Sequence, residues 1–333
     1  MTFFHGIKIT PGTEGGRPSP QASQTVIGLV GEKGENKEEN VKGLKVNTPF
    51  LVDSYTTQQS FTGSLGDSLK AIYAQIRCPV IVVATENGKI AEGIEKLKFT
   101  KQETGLSPNI IICPTLKIVG TTTPPTTPAI REKARVTPEK ESTIPGTLKE
   151  VAGKIGAIAI VDLHTEPTAT VPGYADKRVI ASWPPVLVSG PVDVNKNPTV
   201  KTKPLSPYIA GVIARNDSER GYHTSFSNRS INGLVGLSEN IEHSIFDADC
   251  TANRLNEKKT MTVLSGPFRT WGNSGLYPDD KPLYKFISTV RTEDQIISLL
   301  ARGLQWAIDK NITKNFIEEL EIHINHMLQT LRK

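Results

Sequence analysis

The chain has 333 residues, 37% of them hydrophobic and 22% charged, with a formal net charge of +5. That length is enough for a large core and for more than one domain, and no apolar run approaches the ~18 residues of a membrane-spanning helix. The basic residues are scattered lysines rather than an arginine stripe with interleaved aromatics, so nucleic-acid binding has little support, and a basic face toward an acidic partner is the simpler use of the excess.

Met1 to Ile7 lacks the basic segment followed by a long apolar one that marks a secretory signal. Phe3 to Ile9 is short, extended and apolar. Pro11, Gly12, Gly15, Gly16, Pro18 and Pro20 then forbid a helix or a central strand. Residues 1–24 therefore read as an arm whose apolar side chains have no local partner. Val26 to Gly31 reads as the first buried strand, and the polar run Glu32 to Lys45 as a surface loop.

From about Thr48 the pattern becomes α/β. Leu69, Ile72, Tyr73 and Ile76 lie at helical spacing within Asp67 to Ile76, and Pro79 to Val83 follows as a continuously apolar strand. Ile90 to Leu97 suggests a second helix and Asn109 to Ile112 a second such strand; Leu148 to Ile155 and Ala157 to Val161 repeat the order. Apolar strands alternating with helices predict a parallel sheet covered on both faces. Residues 117–147, rich in Thr, Pro, Lys and Glu, predict an exposed loop.

Trp183 to Val188 returns to strand character. Thr292, with Gln295 three residues on, has the look of a capping box opening a helix whose buried stripe is Ile296, Leu299, Leu300, Leu304 and Ile308. Thr313 opens the last helix, with Phe316, Leu320, Ile324, Leu328 and Leu331 as its stripe. Cys78, Cys113 and Cys250 are far apart and in no CxxC spacing, which reads as free thiols in a reducing compartment.

Candidate chemistry is sparse. Asp162 and His164 end a predicted strand, where active sites of α/β sheets gather, but the serine elbow of a hydrolase is not present, and capping of local backbone is the simpler role. Glu319, His323 and His326 could reach a metal from one helix face, although no further ligand is visible and a solvated face accounts for them. Gly28, Gly31 and Gly34 follow a strand without forming a phosphate loop or a dinucleotide fingerprint. Trp183, Trp271 and Trp306 read as core residues rather than a ligand cage. Arg215, Asp217 and Glu219, near the end of a predicted helix, suit ion pairs within the fold or between subunits. A hydrolase would require a nucleophile paired with His164 or His223.

The run Trp271-Gly272-Asn273, preceded by Gly266-Pro267-Phe268-Arg269, and the segment Ser206 to Asp217 resemble the tail sheath proteins of contractile bacteriophages and related injection systems. Phe4 to Ile7 with Ser23 to Gly31, Gly105 to Pro114, Ile155 to Asp162, Gly221 to Asn228, Ile231 to Gly233, Ala252 to Glu257, Arg291 to Asp294 and Trp306 to Ile312 continue the resemblance in the same order. Arg215, Asp217, Asn228, Asn253, Asn256, Arg269, Trp271, Gly272 and Asn273 are its core motif positions.

The resemblance implies a structural polymer subunit, not an enzyme, with no cofactor or metal. It implies an N-terminal arm at 1–24, a subtilisin-like α/β domain at 25–257 that is not a protease, and a smaller α+β C-terminal domain at 258–333. Subunits would stack as rings around a tail tube, meet baseplate and tail terminator proteins, and assemble in the bacterial host cytoplasm as part of the virion tail, without binding nucleic acid or inserting into a membrane. Phe3, Phe4, His5, Gly6 and Ile7 would add a strand to a neighbouring subunit. About five ladder bonds, each worth roughly 0.5–1.5 kcal/mol, would give a few kcal/mol per joint.

Family members continue past the last helix into further strands and a C-terminal arm, so the ending Leu331-Arg332-Lys333 reads as a C-terminal truncation. That raises an assembly-defective prophage remnant or adaptor as one alternative. An α/β hydrolase is the alternative from another class. Lys310 and Lys314 are expected to face acidic side chains of the tube.

Overall fold

The computed structural model describes residues 24–36, 41–52, 55–114, 143–167, 172–192, 198–277 and 284–331. Phe3, Phe4, His5, Gly6 and Ile7 of the expected arm, and residues 117–142 of the expected loop, lie outside the described residues. Gln24–Thr292 form one compact unit and the residues from Glu293 onward a second.

In chain order the first unit opens with β1 (Ile27–Glu32), β2 (Pro49–Val52), α1 (Tyr55–Ser60), α2 (Gly63–Tyr73), β3 (Val80–Thr85), α3 (Ile90–Lys96), α4 (Thr100–Thr104) and β4 (Ile110–Ile112). It continues with α5 (Thr143–Ile155), β5 (Ile158–Asp162), β6 (Val179–Ser182), β7 (Val186–Val192), β8 (Pro198–Lys203), α6 (Ser206–Arg220), β9 (Gly236–Leu237), α7 (Thr251–Glu257), β10 (Thr260–Leu264) and β11 (Arg269–Trp271). α8 (Ile287–Gly303) crosses the division between the units, and α9 (Lys314–Leu331) follows.

Eight strands form one mixed, mostly parallel sheet in the order β11-β10-β6-β5-β4-β1-β3-β2, with only the edge strands β2 and β11 antiparallel. The strand pattern explains the two-sided burial. In β1, Ile27 and Leu29 join α2 and α6 in one core cluster, while Val30 joins α3 and α5 in the other. In β5, Ile158 and Ile160 face the first layer, and Ala159 and Val161 the second. Because every side chain of the central strands is covered, the sequence shows unbroken apolar runs instead of alternation. A separate three-stranded antiparallel sheet has the order β8-β7-β9.

Several boundaries differ from the sequence reading. Glu32 to Lys45 is not all surface: Val41 and Leu44 are buried in the core, and buried Asn36 accepts from Thr62 N at 2.6 Å while donating to Thr62 O at 3.0 Å. Such a side chain serves the open end of α2, so a polar residue there is interior. The exposed loop expected to run to 147 is already helical at Thr143, with Pro145 in the first turn of α5, where a missing N–H is harmless. Strand β7 starts at Val186 rather than Trp183.

α8 begins five residues before the expected capping box. Thr292 therefore sits inside the helix and donates Oγ1 to Ser288 O at 2.7 Å, while fully buried Ile287 and Val290 extend the apolar face upstream. Of the expected α8 stripe Leu299 is buried, Ile296, Leu300 and Leu304 are half-buried and Ile308 is exposed. On α9 the buried side chains are His323 and Met327; Phe316, Leu320 and Ile324 are half-buried, and Leu328 and Leu331 are exposed.

Candidate functional site

Of the motif positions Arg215 and Asp217 lie on α6, Asn228 follows it, and Arg269 and Gly272 bond the loop after it. This helix buries Tyr208 to Ala214 almost without a break, against α2 on one side and the sheet beneath. Gly211 permits that approach, since a Cβ there would lie 2.8 Å from Gln75 Cγ and 2.9 Å from Ile72 O. The open N-terminus of α6 is served from the end of β5. Asp162 Oδ1 accepts from Leu205 N at 3.0 Å and Ser206 N at 2.8 Å, and from Ser182 Oγ at 3.1 Å. Burial pushes the Asp162 carboxyl above its ordinary pKa, against the opposing pull of hydrogen bonds from Ser206, Ser182 and Leu205. Asp162 is thus a helix-end anchor, but for a helix that starts 44 residues on and not for the local backbone that the sequence suggested. His164 is exposed, and among the described residues no hydrogen bond links it to Asp162, Ser182 or Ser206.

The far end of α6 carries a buried ion pair. Asp217 accepts from Arg291 through both of its oxygens, one bond being 2.7 Å, with side-chain exposures of 8% and 5%. Thr25 Oγ1 donates to the same carboxylate at 2.5 Å. The preceding residue, buried Asn216, accepts from Arg229 Nε at 2.9 Å and Nη2 at 2.7 Å, and donates to Thr224 Oγ1 at 2.9 Å. Arg215 donates to Ser230 O and lies 4.0 Å from Glu219.

The loop after α6 is then stitched to the β10–β11 hairpin. Asn228 adopts φ +59°, a conformation that Asn tolerates, and its N–H reaches Thr270 O at 2.6 Å. Arg269 Nη1 donates to Asn228 Oδ1 at 3.1 Å, and buried Thr270 donates Oγ1 to Phe226 O at 2.6 Å. Asn256 of α7 clasps Trp271, accepting from its Nε1 at 2.9 Å and donating to its O at 3.2 Å. Gly272 has φ +125°, and a Cβ would lie 2.7 Å from the Asn256 amide, which excludes other residues on two counts. Asn273 donates to Ser288 Oγ at 3.0 Å and accepts from Ile287 N at 2.9 Å, fixing the start of α8. Asn253 donates to Ala248 O at 3.2 Å. Sequence reasoning missed Thr25, Asn216, Arg229 and Thr270, whose roles depend on partners far along the chain.

The remaining candidates separate. Buried His323 meets the Trp306 ring edge-on at 5.9 Å, whereas Glu319 and His326 are exposed; no metal-holding cluster forms among the described residues. Gly28 and Gly31 admit neighbouring side chains: a Cβ would lie 3.2 Å from Leu97 and 2.7 Å from Leu65 respectively. Trp183 is buried with Ile241, Cys250, Ala252, Leu255 and Leu264, and Trp271 packs on that cluster. His223 is exposed beside Tyr222. Lys310 and Lys314 are exposed, with Glu318 4.0 Å from Lys314.

Chemically, this arrangement joins segments; most of its donors and acceptors meet one another, Asn273 Oδ1 being a buried exception, and no acid, base and nucleophile converge within the described residues. No protein-family model matches the chain. It is 26% identical over 358 residues to a prophage major tail sheath protein of Pseudomonas aeruginosa, covering 100% of this chain and 84% of that protein. The tail sheath protein of Escherichia phage P2 is 24% identical over 362 residues, covering 99% of this chain and 83% of the relative. Among solved structures, the helical sheath of the anti-feeding prophage in its contracted state matches with a TM-score of 0.71 at 16% identity, over 99% of this chain and 84% of that one.

Proposed function

We infer that the chain belongs to the phage tail sheath family, whose members also build contractile injection systems, and that it is a structural sheath subunit and not an enzyme. The observation that carries this reading is the span of the likeness: sheath proteins align with the whole chain, not with one motif. The motif residues then make sense as staples of the fold. A subunit that passes force needs segments locked to one another, and hydrogen bonds between distant segments, with the buried Asp217–Arg291 pair among them, supply that locking.

The expected output is mechanical: polymerisation around a tail tube and contraction that drives the tube through a host envelope. Purified chain examined by negative-stain electron microscopy should form striated hollow rods or stacked rings. Monomers at every concentration would overturn the assembling-subunit reading in favour of the assembly-defective remnant.

Finer features follow as proposals. We read residues 25–257 as the subtilisin-like domain of the family, supported by a parallel sheet with helices on both faces, residues 258–333 as the sheath C-terminal domain, and residues 1–24 as an arm that Phe3 to Ile7 carry onto a neighbouring sheet. Baseplate and tail terminator proteins are the expected partners at the ends, and assembly takes place in the bacterial host cytoplasm. Exposed Lys310 and Lys314 are suited to an acidic tube surface. Reversing both charges should abolish co-sedimentation with the tube protein while self-assembly persists; unchanged co-sedimentation would remove these lysines from the interface.

A further inference from the structure

The segment between β9 and α7 presents two apolar side chains that this chain does not cover. Ile245 is 82% exposed and Phe246 94%. Isolated apolar residues on a surface are ordinary, but a mobile loop would fold such a pair back against the nearest apolar patch. This loop is held open. Its feet, Ile241 and Cys250, are buried beside Trp183 and Leu264. Across its crown Ser244 Oγ accepts from Phe246 N at 3.1 Å and Asp247 N at 3.2 Å, and Asp247 Oδ1 accepts from Asp249 N at 2.9 Å. Ala252 N donates to Glu242 O at 3.0 Å, and the His243 ring meets Trp271 edge-on at 4.9 Å. A fixed backbone that displays a phenyl ring outward is preorganised for contact with another surface.

Charge identifies the surface. From Ser238 to Cys250 the segment contains Glu239, Glu242, Asp247 and Asp249, all exposed, and neither Lys nor Arg. The opposite charge is concentrated where α6 ends. Arg215 meets Ser230 and Arg269 meets Asn228, the neighbours of Arg229 in sequence, and Arg229 lies within charge range of Arg220, Arg215 and the Glu219 carboxylate. Arg229 feels this crowding, since Arg220 and Arg215 add to burial in lowering its pKa. Among the described residues none of the four loop carboxylates is ion-paired with any of these arginines; Arg220 and Arg269 are exposed at this end of α6, whereas Arg215 and Arg229 are held by Ser230 and Asn216 beneath them.

We propose that the Ile245–Phe246 tip is an inter-subunit anchor, seating on the arginine-bearing end of α6 in a second copy of this chain. Guanidinium planes and their aliphatic stems receive the phenyl ring, while Asp247 and Asp249 meet the same arginines as ion pairs. Repeated head-to-tail, such a contact propagates an open helix, which is the geometry the sheath reading requires. The inference rests on the sheath reading and names one contact of that lattice.

The test uses full-length chain, with the concentration at which rods appear as readout and the melting temperature as control. Ile245→Ser with Phe246→Ser should leave melting unchanged and raise the assembly concentration at least ~10-fold, the loss of a well-seated aromatic anchor. Asp249→Arg, whose carboxylate holds no bond of the crown, should do the same. Adding Arg220→Glu to that variant should restore assembly. Rods from the double-Ser variant at the wild-type concentration overturn the proposal and leave the sheath reading standing, as does loss of binding to another tail component with normal rods. Failure of the reciprocal charge reversal in a variant that melts normally overturns the arginine seat. Wild-type chain that never assembles overturns the assembling-subunit reading and this contact with it.

Discussion

Asp217 and Arg291 are the residues on which the architecture depends most. Two charges almost withdrawn from water are tolerable only together, and Thr25 completes the hydrogen bonding of the carboxylate. Arg291→Met should therefore destabilise by about 3–5 kcal/mol because it strands Asp217, whereas Asp217→Leu combined with Arg291→Met should cost much less. Urea unfolding midpoints at constant slope would show the difference. Cysteines provide a second check. Burial, with a smaller push from Asp217, raises the Cys78 thiol to about 12, and burial drives Cys113 upward as well. Native chain should resist iodoacetamide at pH 9 and react after unfolding; labelling of native protein at the rate of a free thiol would contradict this. Since the folded thiols hold their protons above the pH at which unfolded ones release them, stability falls as pH rises above the ordinary thiol range toward the raised value of Cys78. The sequence named Asp217 as an ion-pair former, yet its partner lies 74 residues on, and nothing local marks Arg291 for the role.

At the scale of elements, local signals succeeded where local physics decides. Thr313 was legible as the opening of α9 because its hydroxyl accepts from Phe316 N at 3.2 Å, a bond made within one turn. Thr313→Ala should cost about 1 kcal/mol and speed amide exchange in the first turn of α9 before it affects the rest; uniform acceleration would contradict a local cap. Thr292 carried the same signal and misled, because Ile287 and Val290 have buried places upstream and draw the helix start back to them. β1, β3, β4 and β5 were legible as unbroken apolar runs. β9, two residues long, and β11, three residues long, had no period to detect. The stapling of Asn256 to Trp271 and of Asn228 to Arg269 was likewise hidden, since an asparagine in a sequence does not disclose which backbone it will meet.

For the molecule as a whole, alternation of helix and strand established a parallel, two-sided sheet but not its order. The chain leaves β1 for β3 on one side and β4 on the other, and brings β10 in beside β6. Choosing among such orders requires long-range pairing that no window of sequence contains. That order has a consequence for how the subunit takes strain. β1 runs parallel between two partners, matched residue by residue from Ile27 to Glu32 on one side and from Ile27 to Leu29 on the other. Tension entering from the N-terminal direction acts along this strand, so both ladders resist it in shear, with their bonds sharing the pull at once instead of opening one after another like a zip. Thr25, immediately before the strand, is also tethered to Asp217 and through it to Arg291. A tug on the start of the chain is therefore spread into the middle of the sheet and into two helices before any edge can peel.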